Sequence, residues 1–142
     1  MKRVLKRFKG TLLVGMIVGL CLAAPQIASA NISVNGCTAA PQRPTVAQNW
    51  GLYYLTIQTN VSCSGGQYYY VEFQVQQWFG THWTPVHGDV VGFNHYGSGQ
   101  FASSFQVGSG YYRNTIIWFT VNGSANIANG QDGVNSDGTS VG

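Results

Sequence analysis

From Gln67 to Trp78 the chain alternates without a break. Tyr69, Val71, Phe73 and Val75 fall on one side, and Tyr68, Tyr70, Glu72, Gln74, Gln76 and Trp78 on the other. A period of two over this length belongs to a half-buried antiparallel strand, because a helix would repeat its apolar positions every three or four residues. Tyr53 to Cys63 repeats the pattern, with Leu55, Ile57, Thr59, Val61 and Cys63 facing away from Thr56, Gln58, Asn60 and Ser62. Phe101, Ser103, Phe105 and Val107 alternate again. No helical pattern and no internal repeat occurs after residue 30. The composition agrees: that region is rich in Tyr, Phe, Trp and Val and very poor in Lys, Glu and Leu, so it favours strands over helices.

Turn residues punctuate these strands. Ile32–Val34 reads as a short edge strand, followed through residue 50 by an irregular crossing that holds Pro41 and Pro44. Ser64-Gly65-Gly66 and Phe79-Gly80-Thr81 are turns, the second leading into a short strand around His82 to Val86. Residues 88–99 are loop-like, with a short strand around Val90, Val91 and Phe93. Gly108-Ser109-Gly110 turns into a last strong strand, Tyr111 to Val121. This strand is apolar on both faces: one parity buries Ile117, Phe119 and Val121, the other Tyr112, Ile116 and Trp118. Residues 122–142 are mostly Asn, Gly, Ser and Asp and are expected to form a flexible tail. Six or seven short strands with turns every eight to twelve residues predict an antiparallel β-sandwich over 31–121, with a small β-barrel as the alternative.

The first thirty residues differ from the rest. Lys2, Arg3, Lys6, Arg7 and Lys9 precede an apolar run from Thr11 to Ala24, and Ala28 and Ala30 then supply a small-x-small cleavage site. This is the layout of a secretory signal peptide over 1–30. A spanning helix needs roughly 20 apolar residues, and this run ends sooner, at Pro25, so no stable membrane anchor is expected. Cys21 follows Leu20 rather than the small residue that lipoprotein processing requires. Cleavage after Ala30 would release a secreted, extracellular chain of 112 residues (142 minus 30).

Charge and cysteines narrow the function. Five of the seven Lys and Arg residues lie in the leader. The remainder keeps Arg43 and Arg113 against Glu72, Asp89, Asp132 and Asp137, which is two positive and four negative, or −2. A nucleic-acid ligand needs a basic footprint, and so does docking on anionic lipid by charge. Neither is present. Cys37 and Cys63 are the two cysteines after the leader, and an isolated pair in an oxidising compartment is read as one disulfide.

The segment GSGYYR, Gly108 to Arg113, resembles the tyrosine-corner entry to the penultimate strand of immunoglobulin-like sandwiches. Gly110 takes the small position and Tyr112 the tyrosine, and an immunoglobulin-like sandwich is what the resemblance implies. Asn114 stands where antibody domains carry their second cysteine, so the inter-sheet disulfide of that family is not reproduced. The stretch from Tyr53 to Val121, with YYYVEFQVQQW and FGTHWTPV, also resembles small secreted proteins of Gram-positive bacteria whose function is uncharacterised.

Catalytic chemistry finds little support. His82, His87 and His95 lack the spacing of a zinc motif, and Cys37 and Cys63 have no further ligands at short spacing. Paired carboxylates would have to come from Glu72 and Asp89. No GxSxG occurs, and a bonded cysteine is no nucleophile. The tail segment from Asp132 to Gly138 misses calcium-loop spacing. Asn60-Val61-Ser62 and Asn122-Gly123-Ser124 are sequons with meaning only in a glycosylating host. We therefore expect no enzyme and no cofactor. The aromatics carry the main hint: Tyr68, Tyr70 and Trp78 share the polar-looking face of one strand, with Trp83 across the hairpin. Such a row either stacks on sugar rings or a protein partner, or covers its own sheet. A secreted binding module for an extracellular glycan or protein is the leading expectation. A surface-assembly component or an antimicrobial, toxin-like protein are the alternatives.

Overall fold

A computed structural model describes residues 30–86, 90–127 and 134–142; the expected signal peptide, His87 and Asp89 lie outside these. The described residues form an all-β, antiparallel sandwich of two sheets that do not close into a barrel. The first sheet has the order β1-β2-β3-β7, from β1 (Ile32–Val34), β2 (Cys37–Asn49), β3 (Leu52–Cys63) and β7 (Gly99–Val107). In the second, β8 (Gly110–Val121) and β4 (Tyr68–Trp78) lie at the centre. β5 (Trp83–Pro85) and β6 (Val91–Tyr96) share the far edge of β4, while β9 (Ser124–Ile127), β10 (Val134–Asn135) and β11 (Thr139–Val141) pair with β8.

The alternating residues meet between the sheets. Leu55, Ile57, Thr59 and Val61 of β3 are buried against Tyr69, Val71, Phe73 and Val75 of β4. The ambiguous last strand uses both of its parities. A bulge at Ile117 shifts the register between Phe73↔Ile116 and Glu72↔Trp118, so Tyr112 and Ile116 point inward before it and Phe119 and Val121 after it. An extra residue in one strand reverses which parity faces the core, which leaves Trp118 on the outer face.

Two expectations are corrected. Residues 37–49 are a long strand rather than an irregular crossing. The Cys63 N–H donates to Ser98 Oγ, away from β2, and Ser64 N–H bonds Gly36 O. Odd residues of β2 before the bulge therefore turn their N–H groups away from β3, and Pro41, lacking one, costs the ladder nothing. Pro44 sits in a second bulge, between Gln42 and Thr45. The expected flexible tail is also strand where it is described. Thr139 and Val141 are buried, and Ser136 exchanges bonds with the Asn114 backbone through both its N–H and its Oγ.

Cys37 and Cys63 face each other directly across β2 and β3 and are disulfide-bonded. The bridge thus lies within one sheet. At the tyrosine corner, Tyr112 OH donates to Gly108 O at 3.0 Å, the back-bond that defines this feature. Immunoglobulin sandwiches run A-B-E-D in one sheet and C-F-G in the other. With β2, β3, β4, β7 and β8 in the places of A, B, C, E and F, the A-B-E order and the C–F pairing recur here. The strand before E departs, because β6 pairs with β4 instead of extending the first sheet. Asn114 bridges the sheets in place of the missing cysteine: its amide donates to Gln58 O at 2.7 Å and Thr59 Oγ1 at 3.1 Å on β3.

Candidate functional site

All four expected aromatics lie on the outer face of the second sheet, since Tyr68, Tyr70 and Trp78 share parity on β4 and Trp83 stands opposite Trp78. The structure separates them into two ends. Tyr70 and Trp78 are eight residues apart, roughly 26 Å at about 3.3 Å per residue. The middle of the face is buried and polar. Gln74, Gln76, Thr115 and Arg113 are all buried, and Gln76 Oε1 accepts from Arg113 Nε at 2.9 Å and Nη2 at 2.7 Å.

The tryptophan end completes this buried arrangement. The Arg113 guanidinium lies 4.3 Å over the Trp83 ring, a cation–π stack of the kind favoured where water is excluded. Trp78 and Tyr111 pack on Trp83 at 5.4 and 5.7 Å between ring centres. Trp83 is buried and Trp78 half-buried; both indole N–H groups lack a hydrogen-bond partner among the described residues. Beside them a cleft of about 250 Å³ is lined by Arg43, Tyr111, Asp137 and Gly138.

The tyrosine end is open. Tyr68 is 69% exposed and Tyr96, its cross-strand partner from β6, 55%. Their rings stand 4.7 Å apart. Next to them Tyr68, Tyr69, Tyr70, Asn94, Thr120, Asn122 and Gly123 line a hollow of about 180 Å³. Tyr70 OH donates to the Glu72 carboxylate, which raises its phenol above the usual value, with burial and the negative charge adding to the effect. Trp118, diagonal to Tyr70 across β4 and β8, is 37% exposed. Glycines make room for the flat rings: Tyr96 lies across Gly66 and Tyr70 across Gly92, where a Cβ would collide with the phenol oxygen. The shelf is thus tyrosines laid on a sheet, held by neighbours and by the carboxylate.

No family model matches the chain, and no curated protein or solved structure does.

The shelf brings Tyr68 and Tyr70, two of the four aromatics singled out in the sequence, together with Tyr96 and Trp118, which were not among them. The pairing Tyr68↔Tyr96 joins distant segments, and Trp118 turns outward only because of the Ile117 bulge. His82, stacked on Phe79 in the β4–β5 turn, and His95, against Tyr69 and Phe101, sit at opposite ends of β4. Among the described residues no three His, Cys, Asp or Glu side chains gather to hold a metal, and no helix is long and apolar enough to cross a membrane. Trp50, 94% exposed, tips the β2–β3 hairpin.

Behind the shelf the Tyr69 hydroxyl is buried with no hydrogen-bond partner among the described residues, and burial pushes its phenol up to about 12. The neutral form is favoured in the folded state. Its contribution to stability is complete below the unfolded value of 10 and is lost as pH rises towards 12. Burial raises Tyr112 in the same sense. Urea midpoints measured from pH 8 to 12 should fall steeply above pH 10, and Tyr69→Phe should flatten that fall while raising stability at neutral pH, because it removes an unpaired buried hydroxyl. An unchanged alkaline limb in the variant would contradict this assignment.

Proposed function

We propose that the chain is a secreted, non-catalytic binding module whose tyrosine shelf takes a neutral, hydroxyl-rich glycan such as a cell-wall polysaccharide. The carrying observation is the Tyr68–Tyr96 ring pair, exposed on the sheet beside a hollow lined by tyrosine rings together with Asn94, Thr120 and Asn122. A sugar has an apolar C–H face and a rim of hydroxyls. Flat rings match the first, and Asn94 and Thr120 offer amide and hydroxyl groups to the second, while the Asn122 amide is held by the Tyr68 N–H and the Gln67 side chain. Among the described residues the carboxylate close by is Glu72, already engaged by Tyr70, which favours an uncharged ligand. Export is supported by the leader expected from the sequence and by the disulfide, a bond that persists in oxidising compartments.

Pull-down on insoluble peptidoglycan and chitin tests the reading. The wild-type chain should be retained, and Tyr68→Ala with Tyr96→Ala should lower affinity by about tenfold or more, taking about 1–3 kcal/mol per stacked ring by analogy with base stacking. Because both rings are largely exposed, the melting temperature should barely move. Equal retention of wild type and variant would defeat the proposal.

A further inference from the structure

We propose that two copies of the chain pair through their β7 strands, joining the two four-stranded sheets into one across a two-fold axis at Ser103. An open sheet edge is a template for another strand, and proteins blunt such edges with short strands, prolines, bulges or charges. Most edges here are blunted. β1, β5, β10 and β11 have three residues or fewer, β5 carries Pro85, and the part of β2 beyond β1 carries Pro41, Arg43, Pro44 and a bulge. β7 is different. It runs nine residues without proline and pairs with β3 in unbroken register. No described strand pairs with its other side. No charged residue occurs from Gly97 to Tyr112.

The hydrogen-bonding parity is set by Cys63, whose N–H points to the β7 side. Odd residues of β3 therefore bond to odd residues of β7, through pairs such as Ile57↔Ser103. Gln100, Ala102, Ser104 and Gln106 are left with their backbone N–H and C=O groups directed outward, and all four are exposed.

The sequence of this edge suits a second copy of itself. About Ser103, an antiparallel partner sets Gln100 opposite Gln106, Ala102 opposite Ser104 and Phe101 opposite Phe105. The outward-directed residues then pair only with each other, so each exchanges both of its bonds. The phenylalanines, half-buried in the single chain, gain aromatic cross-strand neighbours. Ser103 meets Ser103 of the second copy. Pairing consumes the long edge on both copies, so the symmetry closes as a dimer and does not grow into a fibre. The outer face of the second sheet stays open, and the dimer would present two shelves to one polymer, a source of avidity. The pairing itself does not depend on what the shelves bind.

Sedimentation velocity on the unlabelled protein over a wide concentration range tests the association, and cysteine cross-linking tests the register. The wild type should show a monomer–dimer equilibrium. Gln100→Lys with Gln106→Lys should weaken it about tenfold or more, because each lysine then faces another, with no change in the melting temperature of the dilute monomer. Under mild oxidation Ser103→Cys should form a disulfide-linked dimer, since directly opposed residues bridge in this very sheet at Cys37–Cys63. Ala102→Cys, which faces Ser104, should link far less. A wild type that stays monomeric at every concentration overturns the proposal. So does a double-lysine variant that associates as well as wild type, or preferential linking through Ala102→Cys.

Discussion

Replacing Cys37 and Cys63 together by alanine should cost about 3.5 kcal/mol, the chain-entropy value for a closed loop of 26 residues. For a domain whose whole stability is about 5–15 kcal/mol, that lowers the melting temperature on the order of 15–25 °C. The bridge cross-links β2 to β3 at the end nearest the β1–β2 turn, and both sulfurs replace positions that a reduced chain would leave free to fray. Cys37 is fully buried beside Ala39 and Ile32, so alanine also removes packing volume. Differential scanning calorimetry with and without reductant measures the effect. Free-thiol labelling of the native protein should find no reactive cysteine. A melting temperature unchanged by the double substitution would mean that the bridge contributes nothing to the fold.

Asn114→Ala should be comparably severe, at about 3 kcal/mol, because it strands buried groups that have lost their donor and each such group costs about 1–3 kcal/mol. Asn114 is fully buried, and its amide is the side-chain link from β8 to Gln58 O and Thr59 Oγ1 on the opposite sheet. Where immunoglobulin domains lock their sheets covalently, this chain uses a pair of hydrogen bonds. Thr59 is itself fully buried, so the two side chains depend on one another. Urea denaturation of Asn114→Ala, Thr59→Val and the pair should give a strongly non-additive cycle, the double variant costing less than the sum. Additive losses would show that the two side chains act separately.

The sheet core was legible because it depends on local parity. The inward set of β3 and β4 falls where alternation puts it, from Leu55 to Val61 and from Tyr69 to Val75. The tyrosine corner was legible for a related reason: Gly110 and Tyr112 are close in sequence to the carbonyl that Tyr112 reaches. Three hairpin turns carry a signal in their residue pairs. Asn35-Gly36, Trp50-Gly51 and Asn122-Gly123 all adopt positive φ at both residues, and Asn-Gly is the strongest short-range mark of such a turn. Weighting the first would have extended β2 to its full length. Weighting the third would have turned the tail back onto β8 as β9.

The shelf was only half legible. Which of Tyr68, Tyr70, Trp78 and Trp83 would be exposed was not encoded in parity, because all four share a face. Burial at the tryptophan end comes from Arg113, which lies on β8 and reaches the Trp83 ring across β4. Tyr96 and Trp118 joined the shelf through a long-range pairing and a bulge, neither of which leaves a local mark.

The shelf is tested most directly by following backbone amide chemical shifts while soluble peptidoglycan fragments or chitooligosaccharides are titrated into the labelled protein. Shifts should concentrate at Tyr68, Tyr70, Asn94, Tyr96, Trp118 and Thr120, with Trp83, Arg113 and the Arg43–Tyr111–Asp137 cleft unmoved. Saturating glycan with no shift at the shelf, or shifts centred on that cleft, would contradict the account.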